Sequence, residues 1–150
     1  MLKIFATKLF LAVLPVFYSA FVVADAGEVV MGKSMKVRLL VGDAVLNATL
    51  ENNAASRDFM ALLPLELTLS DYHSTEKIAD LPVRLSTQGA PDGIDPEIGD
   101  ITYYSPWGNL AIFYRDFPYA KGLIRLGRMD EAPSLLSGSE SLRVRIEKIQ

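Results

Sequence analysis

Between Met35 and the C-terminus, apolar and polar residues alternate one for one in several short runs, each broken by a turn signal. Side chains of an extended strand point to opposite faces in turn, so this period makes a run amphipathic as a strand and not as a helix. In Met35–Val41, Val37, Leu39 and Val41 point one way, and Lys36 and Arg38 the other. Gly42-Asp43 is a turn signal, and Ala44–Leu50 resumes the pattern, which predicts a hairpin. Leu65–Leu69 alternates with Glu66 and Thr68 outward. Ile101–Tyr104 and Asn109–Tyr114 are two more strands, joined by Ser105-Pro106-Trp107-Gly108. Gly122–Met129 follows, and Ser141–Ile149 closes the chain with Leu142, Val144 and Ile146 inward.

Helical signals are few. Asn52-Asn53 can cap a helix from Ala54 to about Leu63, which Pro64 stops. Ala55, Phe59 and Leu62 or Leu63 share its apolar face, with Ser56, Arg57 and Asp58 elsewhere. Ala132–Leu136 reads as a short helical turn. Ser70–Asp100, rich in proline and glycine, reads as a long irregular stretch with a short strand near Val83–Leu85. The expected fold is mainly β: a closed antiparallel barrel of about eight strands with one or two short helices, an open sandwich being the alternative. Closure removes the exposed edges that an open sheet of short strands would leave.

The first 26 residues have a different character. Lys3 and Lys8 precede an uncharged apolar run, Leu9–Ala24, which ends in Ala24-Asp25-Ala26. That order of positive, apolar and small residues is what a signal peptidase recognises. Residues 1–26 are therefore expected to be a signal peptide, with an uncleaved membrane anchor as the alternative, 27–34 a flexible lead-in and 35–150 the working domain. The protein is expected to be exported, periplasmic or secreted. No later run is long enough to span a bilayer, so no membrane association is expected after cleavage.

Composition removes several chemistries. The chain has no cysteine, hence no disulfide, thiol nucleophile or thiolate metal site. With 15 Lys+Arg against 18 Asp+Glu its net charge is −3, and loss of Lys3, Lys8 and Asp25 leaves the mature part slightly more acidic. Nucleic-acid binding needs a concentrated basic face and is not expected. His73 is the only histidine, so neither a histidine-based metal cluster nor an assignable nucleophile–base pair is present. Asp92, Asp95, Glu97 and Asp100 crowd one segment, but Gly93 and Pro96 point to turns there rather than to a calcium loop. No metal and no cofactor are expected.

Four stretches, Leu69–Ile78, Leu85–Pro91, Gly99–Tyr114 and Gly122–Arg128, resemble the bacterial cyclophilin-like domain family. Pro106-Trp107-Gly108-Asn109 and the strand after it are the most specific part, and the resemblance covers roughly residues 35–149. It implies a closed cyclophilin-type barrel. Some members look fused to flavodoxin-like domains, which implies a redox protein as one possible partner. True cyclophilins are peptidyl-prolyl isomerases with an arginine on a barrel strand beside a Phe-Met-containing proline pocket. No stretch here matches that pocket: Phe59-Met60 falls in the predicted helix, where core packing accounts for it, and Arg57 is on the same helix.

The expected role is thus a non-catalytic module that binds a peptide or small-molecule ligand, the alternative being a divergent prolyl isomerase acting on exported proteins. Its cleft is expected between the 70–100 stretch and the 103–109 turn, with Arg57, Tyr72, His73, Glu76, Tyr104, Trp107 and Asn109 as candidate binding residues. A plainer account of the same aromatic residues is that they pack the 70–100 stretch onto the barrel.

Overall fold

The computed structural model describes residues 34–150. The leader, its cleavage site and all but the last residue of the expected lead-in lie outside the described residues. Ten strands follow in chain order: β1 Met35–Val41, β2 Ala44–Leu50, β3 Leu65–Tyr72, β4 Glu76–Asp80, β5 Gly93–Ile94, β6 Asp100–Tyr104, β7 Asn109–Phe113, β8 Ala120–Lys121, β9 Leu123–Met129 and β10 Leu142–Lys148. Helix α1 spans Ala54–Leu62, and a 3-10 turn spans Ser134–Leu136. Eight strands close into a barrel in the order β1-β10-β3-β4-β7-β6-β9-β2, every neighbouring pair antiparallel. β5 and β8 form a separate two-stranded ribbon.

Alternation sets the core as expected. Val37, Leu39 and Val41 of β1 and Val144 and Ile146 of β10 are buried inside the barrel with Leu69, Ile101, Tyr103, Leu110 and Ile112. Outside, Arg38, Glu147, Arg145 and Glu66 form a line of ion pairs across β1, β10 and β3. These pairs are exposed and add little to stability.

α1 is fixed to the barrel by polar contacts as well as by Phe59. The β6–β9 register skips Leu126, a bulge that leaves its carbonyl outside that ladder. The Glu51 N–H and the Ser56 hydroxyl both donate to this carbonyl, at 2.8 Å each. Asn53 caps the helix by accepting from the Ser56 N–H, and its amide donates to the Arg125 carbonyl. Ser56 is accordingly fully buried, not on the outer side with Arg57 and Asp58. A serine beside the apolar face is tolerated inside because the bulge supplies an acceptor.

The 70–100 stretch is far more regular than expected. β3 continues through Tyr72, and β4 occupies Glu76–Asp80. The inward positions of β4 are Lys77 and Ala79, so a lysine stands where alternation calls for an apolar residue. The buried Lys77 ammonium donates to the carbonyls of Gly138 and Glu140 and pairs with Asp71 at 3.4 Å. Its charge is thereby met and the 138–140 segment is tied to the barrel. Val83–Leu85 is not a strand. Leu85 is buried there and its N–H donates to the Tyr103 hydroxyl.

Candidate functional site

β7 breaks the period-two rule, because all five of its residues are buried. The barrel register explains this. Lys77, Ile112 and Ile101 lie side by side facing in, as do Ala79, Leu110 and Tyr103. The intervening rows face out: Tyr72–Glu76–Phe113, Ile78–Ala111–Thr102 and Asn109–Tyr104–Leu123. A second, smaller core of Ala111, Phe113 and Leu123, with Ile78, Ile94, Tyr104 and Ala120 against it, forms on this outer surface.

The chain from Tyr114 to Lys121 makes the cover. Phe117 donates its N–H to the Pro96 carbonyl, and Asp116 accepts from the Ile98 N–H. The Phe117 ring lies 6.3 Å from that of Phe113. The strap ends in the β5–β8 ribbon, whose closeness requires Gly93: a Cβ there would collide with the backbone of Ala120 and Lys121.

Two turns complete the walls. Between β3 and β4, His73 and Ser74 adopt φ of 50° and 52°, and the Thr75 N–H closes the turn on the Tyr72 carbonyl. Two left-handed residues at the centre of this turn match the twist of the flanking strands, and Thr75 is the third residue of the loop before Glu76. The Ser105–Gly108 turn carries Trp107 and closes through Gly108, φ 75°, whose N–H donates to the Tyr104 carbonyl. The Trp107 ring meets those of Tyr72 and Tyr104 nearly at right angles, at centroid distances of 5.7 and 5.3 Å. Trp107 nevertheless stays 56% exposed. Tyr72 is itself in a strand, so these rings do not anchor an irregular 70–100 loop to the barrel; they wall a cavity.

That cavity has a volume of about 740 Å³. Tyr72, His73, Glu76, Tyr104, Trp107 and Asn109 all line it. Arg57 does not; it stands on α1 with its guanidinium on the Asn52 side chain. Thr75, beside Glu76 in the polar wall, lines it as well, and Phe113, Phe117, Ala120, Lys121 and Leu123, which were not expected there, complete the lining. The unbroken run Leu110–Phe113 was the available signal, since a strand apolar on both faces needs a cover on both.

The polar groups are unevenly satisfied. Burial, reinforced by the negative charge of Asp71, pushes the Glu76 carboxyl up to about 7. Asp71 is held below its usual range, chiefly by the Tyr114 hydroxyl and also by the Ser74 N–H and Lys77. Asn109 is 3% exposed; its Nδ2 donates to the Leu110 carbonyl, and its Oδ1 has no partner among the described residues. Two carboxylates of the acidic segment 92–100 are engaged elsewhere: Asp100 is buried between Arg125 and Arg128, and Glu97 pairs with Arg128. Among the described residues no three His, Asp or Glu side chains are grouped to hold a metal.

Comparison with family models matches the sequence to the cyclophilin-like family over residues 39–147. The chain belongs to the cyclophilin-like family. The solution structure of a hypothetical protein from Archaeoglobus fulgidus is similar to this cyclophilin-like chain with a TM-score of 0.57 at 20% identity, covering 81% of this chain and 100% of that one. At that identity the likeness extends to the fold. No curated protein matches by sequence.

Proposed function

We propose that this cyclophilin-like protein works outside the cytoplasm as a binding module, and that the cleft on the outer face of β4, β7 and β6 holds a peptide segment or a small ligand. The leader-like residues 1–26 support the location. The observation that carries the binding reading is the cavity of about 740 Å³ whose wall holds a tryptophan that stays 56% exposed between two tyrosines. An exposed indole walled by two phenols offers flat apolar area to such a ligand.

Prolyl isomerisation is the competing reading. It needs a donor held beside the rotating amide, and Arg57, the arginine considered for that part, stands outside the cavity. A redox protein of flavodoxin type as partner has the family resemblance alone behind it.

Titrating the protein, recovered from the periplasmic or secreted fraction and beginning at Gly27, with short peptides with and without proline tests the proposal. We expect a saturable change in Trp107 fluorescence that Tyr72→Ala abolishes, and no acceleration in a protease-coupled prolyl-peptide assay. Turnover that disappears in Trp107→Ala would replace the binding reading with the isomerase.

A further inference from the structure

We propose that the ligand of this cleft is an organic cation with N–H donors, a protonated amine seated against the Trp107 face with its charge toward Glu76. This rests on the cleft being a binding site. The half-buried carboxyl and the aromatic rings that line the cavity suit a cation. Glu76 has no ion pair among the described residues. Tyr72, Tyr104 and Trp107 meet edge to face in the cavity wall, and the π faces of such rings attract cations. An anion would meet a carboxylate here, and a neutral apolar ring would leave it unanswered. The two positively charged or chargeable groups at the cavity, His73 and Lys121, are exposed. Water and salt screen them far more than they screen Glu76.

Around Glu76 the titratable and charged groups are Asp71 and Tyr72 from β3, His73 from the turn, Lys77 beside it on β4, Tyr114 and Arg115 after β7, and Lys121 across the cavity. Asp71 is already engaged by Tyr114 and Lys77, which leaves Glu76 as the carboxyl free to answer an incoming charge. A bound cation favours the ionised carboxyl, so affinity should rise with pH through about 7 and then level.

Trp107 is the only tryptophan of the chain and reports from the site itself. Benzylamine, benzyl alcohol and benzoate carry one ring with three different charges. Titrated into the protein at about pH 8, the amine should bind about tenfold more tightly than the alcohol, and benzoate most weakly. Its advantage should shrink as pH falls to about 6. Glu76→Gln should abolish that pH dependence, and His73→Asn should keep it, which separates the carboxyl from the imidazole. If the alcohol or benzoate binds as well as the amine, the cation proposal fails and the binding site stands. If Glu76→Gln leaves the amine's affinity and pH profile unchanged, the proposal fails as well. If none of the three alters the fluorescence, the cation proposal is overturned, and the peptide titration decides separately whether the cleft binds anything.

Discussion

Glu76 links the site to the stability of the domain. Its folded-state value is raised from 4.5 to about 7, so the folded chain favours the protonated form. The stability this contributes is fully present below about pH 4.5, is lost as pH rises toward about 7, and stays lost above it. Asp71, held low by Tyr114, Ser74 and Lys77, stays ionised across that window and does not mask the effect. Glutamine copies the neutral carboxyl. Glu76→Gln should therefore be more stable than the parent at about pH 8, with the gap closing near pH 4.5, as read from urea midpoints in a pH series. A gap that persists at the acid end would mean that the carboxyl is not destabilised by its surroundings. Holding an ionised carboxylate in a half-buried wall costs stability, a cost expected at binding sites and rarely elsewhere.

The β3–β4 hairpin is the element in which the sequence disagrees most with the structure. A β-turn whose two central residues are both left-handed normally selects asparagine and glycine, yet His73 and Ser74 fill those positions. Neither residue has the signature of such a turn, so the sequence predicts an irregular stretch across it. Ser74→Gly should remove the steric cost of φ 52° while keeping the N–H that donates to Asp71. We expect a gain of about 0.5–1 kcal/mol, net of the added freedom of the unfolded chain, seen as a higher urea midpoint. A loss would show that the Ser74 hydroxyl or Cβ contributes more than the turn geometry suggests. By contrast, the β1–β2 hairpin, with Gly42 at φ 57°, was legible because a glycine marks its turn.

At the scale of the whole molecule, the barrel could be read because most of its strands bury one face and show the other to water. Two places hid the rest. Lys77 occupies an inward position and removed β4 from the pattern, since its ammonium is satisfied by carbonyls more than sixty positions along the chain. β7 buries both faces, so its run of apolar residues announced a strand without saying that a second layer lay over it. The candidate residues near Trp107 were found from their aromatic and polar character. Phe117 and Lys121 were missed because only the fold of the strap brings them there. β7 is bonded to β4 on one side and β6 on the other, with the barrel core beneath it and the cavity floor above. Its amide hydrogens are therefore expected to reach deuterated solvent only when the barrel as a whole comes apart. Leu110, Ala111 and Ile112 should be the slowest-exchanging positions in mass-spectrometric or NMR exchange. A saturating ligand should slow them by the ratio of its free concentration to its dissociation constant. The partition between the two cores thus acts as an isotopic clock whose rate measures how tightly the cleft is filled.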